Sequence, residues 1–453
     1  MRTKVVFAAV AVGLLGTPAI AAPLTLEDAL GVAYETNPQL DAQRALLRAT
    51  DQGVAKANAG WRPSINLSGS WGAQKLRQQG PPVQVQATNP LSGEVDLSQP
   101  VFTGGKTVAE ISKAKALVRA GRAQLTAAEE TVLLAAATAY ADVLRDQAIV
   151  RAQTENVSNL TTLVNGVKAE VSVGTASNTD LAQAQGQLAG AQAALSGAEG
   201  QLGTSRSGFL HAIGRPAETL ETDPKLPLLP KSLDDALNIT SAQSPTIVQA
   251  MENAKAADYA VDSAVGELLP QASIEGQYQY NNNVLNSGLG GSGQQTFAAV
   301  VGKVTIPIYQ GGADFASVRA AKDTRAQAEL SIADAQRQAD DATRSAWQVY
   351  TSADASIGFQ VAQEEADRKA FEGVKQEQLV GTATILDTLI AAQNLVNAEI
   401  AVATARHDTL ATAYQVLQGT GQLTAMQLRL KVNYYDPGIH YDDAATSWIG
   451  LGE

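Results

Sequence analysis

The chain has 453 residues, 45% of them apolar but only 5% aromatic, a formal charge of −12 and no cysteine. Without cysteine there is no disulfide, thiolate metal site, cysteine nucleophile or lipid anchor on an N-terminal cysteine. The acidic balance argues against nucleic acid as a partner, and apolar content carried by Ala, Val and Leu favours long, closely packed helices over a thick core.

Arg2 and Lys4 precede an apolar run from Val5 to Leu15 and then Ala19-Ile20-Ala21, the pattern of a cleaved secretory signal over residues 1–21. That run is too short to cross a bilayer, and no later segment reads as apolar enough for a spanning helix. Beyond it the sequence repeats itself. Pro100 in QPVFTGG and Pro307 in IPIYQGG lie 207 residues apart (307 − 100). The same offset relates TLEDAL at 25–30 to SLDDAL at 232–237, Pro38 to Pro245, Pro63 to Pro270, Gly69 to Gly276, and Gly214 to Gly421. It also relates the VGT of Val173, Gly174 and Thr175 to the VGT of Val380, Gly381 and Thr382. A constant offset means two copies of one unit, over 22–222 and 223–430, with a tail over 431–453 outside the repeat.

Each copy opens with a short helix announced by a capping box, Thr25 with Asp28 and Ser232 with Asp235. Asn37-Pro38 and Ser244-Pro245 then read as an N-cap followed by proline at the first helical position. The helices that follow run to about Gly60 and Glu267, where Pro63 and Pro270 stop them. The period then changes to two. Ile65, Leu67, Gly69, Trp71 and Ala73 alternate with polar residues, as do Ile274, Gly276, Tyr278 and Tyr280 in the second copy. Strands are expected at about 64–74 and 94–102 in copy one, and at about 272–281 and 297–309 in copy two. Their length and alternation suit tilted transmembrane strands, with Trp71 and Tyr278 as equivalent membrane-interface aromatics. Polar, Gly- and Pro-rich loops are expected between the strands of each pair.

Pro100 and Pro307 end the second strands, and the pairs Gly104-Gly105 and Gly311-Gly312 let the backbone turn sharply into a helix. From Gly105 to about Val171 there is no proline, and Ile111, Val118, Leu125, Val132 and Ala139 fall seven apart as a coiled-coil seam. Such a helix is roughly 100 Å long. Turns at about 172–178 and 379–385 reverse the chain, and return helices follow. The fold class is therefore mostly α, a long antiparallel helical hairpin per copy with four β-strands per chain. Four strands cannot close a barrel, and an open edge cannot sit in lipid, so closure needs other chains: two would give eight strands, three would give twelve.

The duplicated strand–loop–strand–hairpin unit, the two glycine exits and the turns VGTASNTD and VGTATILD resemble the TolC family of outer-membrane efflux proteins. The resemblance implies a homotrimer with a twelve-stranded barrel in outer-membrane lipid, continuing into a periplasmic α-helical barrel in a Gram-negative cell. It implies an exit duct that receives substrate from an inner-membrane transporter, such as an ABC exporter, through a periplasmic adaptor. The tail NYYDPGIHYDDAATSWIGLGE resembles members serving type I protein secretion; small-molecule efflux is the alternative. Asp387 matches the first acid of the family's pore-gate motif, and Asp180 is its copy-one counterpart. The second acid is replaced by Ile390, and the basic residue expected after VGT is Ala383. Both acids also fit a capping-box spacing, with Ser177 and Thr384. The resemblance places adaptor docking at the two VGT turns, whose glycines also suit left-handed helix caps.

A periplasmic coiled-coil scaffold is the reading from another class, and the strands with an apolar face speak against it. GLGGSG at 288–293 matches a dinucleotide fingerprint in letters only, since no helix follows. The three histidines, His211, His407 and His440, have no ligand spacing, and no nucleophile–base constellation is visible. Neither an enzyme nor a cofactor is expected.

Overall fold

The computed structural model describes residues 23–79, 84–285, 292–448 and 450. The signal expected over 1–21 and most of the GLGGSG stretch lie outside the described residues. The described residues separate into two compact units, one of those up to Ala33, Ala136–Leu226 and Ile357–Leu410, the other of Tyr34–Ala135, Pro227–Ser356 and those from Ala411 onward. In chain order, copy one comprises α1 (Leu26–Thr36), α2 (Pro38–Asn58), a single 3-10 turn (Ala59–Trp61), β1 (Ser64–Trp71), β2 (Gln74–Gln78), β3 (Gln84–Thr88), β4 (Leu91–Phe102), α3 (Lys106–Ser172) and α4 (Asn178–Ile213). Copy two comprises α5 (Leu233–Gln243), α6 (Pro245–Gly266), β5 (Gln271–Leu285), β6 (Ser292–Thr305), α7 (Ala313–Leu379) and α8 (Ile385–Gly419), and the tail adds α9 (Pro437–Thr446).

The second unit holds the sheet. Four strands pair antiparallel in the order β1-β4-β5-β6. The register lines up Ile65, Leu97, Gly276 and Val300 across the sheet, and Leu67, Val95, Tyr278 and Ala298 beside them. Because alternate residues share a face, these rows form one apolar surface, left exposed by the chain. The opposite face carries Ser68, Glu94 and Gln279 in one row and Asn66, Asp96 and Gln277 in the next. Gln277 donates to Glu94 there, and Lys303 Nζ lies 3.0 Å from Glu275 Oε1.

The strands differ from the expected spans. β1 stops at Trp71, where Gly72 and Ala73 break the ladder, and the segment read as a loop forms the separate β2-β3 hairpin instead. β4 starts at Leu91. β5 runs to Leu285 past an irregularity at Asn281/Val284, and β6 runs from Ser292 to Thr305, stopping short of Pro307. Alternation alone could not reveal these extensions, because Asn, Gln and Ser occupy both faces of the ladders.

Above the sheet in sequence, the tail lies along α2. Asn58 Nδ2 donates to Ala445 O at 3.3 Å, Arg62 Nη1 to Ser447 O at 2.7 Å, and the Tyr435 amide to the Tyr34 hydroxyl at 3.0 Å. Guanidinium groups stack on rings at three steps: Arg44 on Tyr34 and Tyr435, Arg122 on Tyr441, and Arg62 on Trp448. Asn37 caps α2 as expected, accepting from Gln39 N at 2.9 Å, whereas the buried Ser244 makes no side-chain cap on α6.

The first unit is helical. Tyr140, fully buried on α3, places its hydroxyl 2.9 Å from Leu24 O and 3.1 Å from Glu221 O, so the start of copy one is tied to its end. Against the expectation from sequence, α8 is long and apolar enough by composition to cross a membrane. Many of its apolar residues are spent inside the chain, where Leu395, Val396, Val402 and Leu410 are buried.

Candidate pore and docking sites

The two turns at the ends of the long helices lie in the first unit and are built alike. Gly174 and Gly381 adopt left-handed φ of 81° and 82°. The next amides reach back to satisfy helix carbonyls: Thr175 N to Glu170 O and Thr382 N to Glu377 O, both at 2.9 Å. The hydroxyls of Thr175 and Thr382 donate to the same two carbonyls at 3.1 and 3.0 Å. With the last carbonyls answered locally, the turns are free to expose apolar side chains, and Val173 and Val380 are 74% and 75% exposed.

Asp180 and Asp387 sit in the first turns of α4 and α8. Asp180 Oδ2 accepts from Ser177 Oγ at 2.7 Å and Ser177 N at 3.0 Å, and Asp387 Oδ2 accepts from Thr384 Oγ1 at 2.6 Å and Thr384 N at 2.9 Å. The reciprocal bonds, Asp180 N to Ser177 Oγ and Asp387 N to Thr384 Oγ1, complete both capping boxes. The hydroxyl and then the amide bond hold each carboxyl below its ordinary range. Ile390, one turn past Asp387, is exposed, as is Leu386. The end of α8 therefore presents an acid flanked by aliphatic groups.

At the strand-to-helix exits, Gly104, Gly105, Gly311 and Gly312 all have φ between 63° and 85°. A Cβ on Gly104 would lie 2.5 Å from Gly266 O, whereas one on Gly311 would meet nothing within 4 Å. Pro63 and Pro270 precede β1 and β5, Pro100 lies within β4, and Pro307 follows β6. Trp71 ends β1 and is 78% exposed; Tyr278 lies inside β5 and is 51% exposed.

Sequence reasoning missed an ionic cluster in the first unit, because its members are scattered along three helices. His407 on α8 has Nδ1 2.8 Å from Asp408 Oδ1 and Nε2 3.0 Å from Asp142 Oδ1 on α3, the latter off the line of a well-aligned hydrogen bond. Burial opposes charging the ring, but the two carboxylates outweigh it and raise its pKa. Arg145 pairs with Asp142 and with the buried Asp146, which also accepts from Ser205 on α4. In the second unit Glu130 is buried on α3 beside Glu129, and burial followed by that neighbour pushes its pKa up to about 9.

Comparison with known proteins agrees with this geometry. The sequence model described as outer membrane efflux protein matches residues 29–215 and again 236–422. The two matches start 207 residues apart (236 − 29), the offset of the internal repeat. The chain is 31% identical over 427 residues to the outer membrane efflux protein BepC of Brucella suis, covering 94% of this chain and 92% of that protein. It is 25% identical over 419 residues to the outer membrane protein TolC of Vibrio cholerae, covering 86% and 89%. Its fold is similar to the crystal structure of the Campylobacter jejuni CmeC outer membrane channel, with a TM-score of 0.78, 16% identity and 98% of each chain covered.

Proposed function

This chain belongs to the outer membrane efflux protein family, the TolC family, and is an outer-membrane efflux channel reaching into the periplasm; from that premise we propose that three copies close into one export duct. The observation that carries the assembly is the sheet, in which, among the described residues, β1 pairs only with β4 and β6 only with β5. Two edges are thus left open beside an apolar face, which lipid does not tolerate. The repeat indicates how they close. Inside the chain, the second strand of copy one pairs with the first strand of copy two. The same step taken once more pairs β6 with β1 of the next copy. The exits support this: Gly104 packs on the end of α6, while the space over Gly311 is open to receive the equivalent end of α2 from a neighbour. Three copies give twelve strands, the number the family resemblance implies.

Ser98 faces Glu275 in the β4-β5 ladder. Shifted by the repeat offset of 207 (98 to 305, 275 to 68), Thr305 faces Ser68 of the neighbour. Because the chain is free of cysteine, Ser68→Cys with Thr305→Cys tests this directly. Oxidation in outer membranes should give a ladder ending at three chains, whereas Asn66→Cys with Thr305→Cys should cross-link poorly. A ladder ending at two, or no ladder with either pair, sinks the proposal.

In this reading Asp387 and Asp180 ring the periplasmic mouth and attract cations, and Ile390 makes the copy-two ring less acidic. Val173, Gly174, Thr175, Val380, Gly381 and Thr382 form the adaptor-docking tips, with an inner-membrane transporter behind the adaptor. Glu94, Asp96 and Glu275 face the lumen, and Trp71 and Tyr278 face the lipid interface. The tail favours type I protein secretion as the cargo class. The similarity to a protein named for efflux favours small molecules as the second reading. A deletion strain separates them: loss of a secreted protein with unchanged drug susceptibility supports secretion, and the reverse supports efflux.

A further inference from the structure

The C-terminal strap covers a cavity of about 140 Å³ between α2 and α3. Arg44, Arg122, Glu129, Tyr34 and Tyr435 line it. Two of these carry a buried polar atom with no protein partner, Arg122 Nε and the Tyr435 hydroxyl. Arg44 is satisfied: Nη1 lies 2.9 Å from Asp41 Oδ1, Nη2 donates to Tyr34 O, and the group stacks between two rings. Glu129 accepts from Ala425 N at 2.6 Å. Arg122 also stacks on a ring, that of Tyr441, but among the described residues has no carboxylate partner. Its Nη2 reaches only Pro437 O at 3.5 Å, and among the described residues no carboxylate lies within ion-pair distance of it. A half-buried guanidinium without a counter-charge is costly. Ordered water would answer its hydrogen bond but not its charge.

We propose that this cavity binds a small oxyanion, a carboxylate or a phosphate, which accepts from Arg122 Nε and the Tyr435 hydroxyl. Arg122 stands on α3 and Tyr435 on the strap, so the bound anion ties the C-terminal segment to the long helix of copy one. Glu129 limits the site to an occupant of low charge, since a second negative group already faces the cavity.

The test uses the full chain, assembled and solubilised in mild detergent, titrated with inorganic phosphate or with acetate at constant ionic strength set by chloride. Calorimetry reads the binding, and amide exchange over residues 433–448 reads the strap. One saturating site per chain, with slowed exchange in the strap, is the expected result, and the anion that saturates first identifies the preferred chemistry. Tyr435→Phe keeps the ring on Arg44 and should weaken binding about fivefold or more, and Arg122→Gln at least about tenfold. Glu129→Gln keeps an acceptor for Ala425 N and should tighten it. Saturation unaffected by Tyr435→Phe, or no saturation by either anion beyond chloride, overturns the proposal even if Arg122→Gln fails to fold.

Discussion

The two long helices α3 and α7 are equal in length, 67 residues each, and occupy equivalent places in the repeat, yet the chain treats them differently. On α3, 21 residues are buried; on α7 only Ala335, Ala339, Thr343 and Phe371 are. Leu330 and Phe359 on α7 are 73% and 78% exposed, although each would contribute about 2 kcal/mol if buried. Position by position the contrast is sharper. Buried Ala123 corresponds to exposed Leu330, and buried Leu133 to Asp340 at the same offset. The return helices reverse the pattern, with α8 largely buried and α4 largely exposed. Duplication has thus produced two helices packed within the chain and two left exposed by it, and the open edges β1 and β6 repeat that division in the sheet.

The comparison breaks most visibly under truncation. Leu133→Ala, at a fully buried site, should destabilise the chain by about 2–5 kcal/mol. Leu330→Ala should leave denaturant unfolding of the separated chain within about 0.5 kcal/mol of wild type while lowering the native mass recovered in detergent. Equal effects on chain stability would mean α7 is not an assembly face. The exits sharpen the point: Gly104→Ala meets both left-handed strain, about 1–2 kcal/mol, and the carbonyl of Gly266, whereas Gly311→Ala meets only the strain. Thermal melts of the separated chains should show the larger loss for Gly104→Ala, and the gap should narrow in the assembly.

Two titrations probe the packed side. Glu130 has a pKa raised from the carboxylate range to about 9, so its folded form favours the proton. Its contribution is complete below pH 4.5 and is lost as pH rises towards 9. Glu130→Gln should therefore stabilise the protein at pH 8 by roughly 1–3 kcal/mol and change little at pH 4, as read from unfolding midpoints. His407 is smaller in effect. Its raised pKa stabilises the fold below pH 6.5 and that support fades as pH rises through the folded value. His407→Gln should cost about 1 kcal/mol at pH 5.5 and become indistinguishable from wild type at alkaline pH. A pH-independent cost would mean that packing, not charge, holds α8 to Asp142.

How much of this was legible follows from the range of each signal. Prolines, paired glycines and capping residues act on their own neighbours, so the duplication and the starts and stops of helices could be read residue by residue. Gly72 breaks a ladder without breaking an alternation, which hid the end of β1 and the β2-β3 hairpin. Ser244 makes no side-chain cap on α6; it also ends α5, its amide donating to Thr240 O, a double duty that the Ser-Pro pair does not announce. The cluster of Asp142, Asp146, Ser205 and His407 joins residues up to 265 positions apart (407 − 142), and the strap helix α9 depends on aromatic rings meeting arginines of α2 and α3. No local pattern marks those contacts, although Asp436-Pro437 starts α9 as Asn37-Pro38 starts α2.

The open edges of the sheet carry a genetic consequence. β1 and β6 are different surfaces, so in a three-copy closure every chain completes two neighbours at once, and a ring with one faulty edge has nowhere to reseal. Co-expressing equal amounts of wild-type chain and an edge-blocked variant, such as one with proline in β6, would leave only about one ring in eight free of the variant. Lesions in the strand edges should therefore be dominant, and lesions in the buried face of α3, which remove the chain before it assembles, recessive.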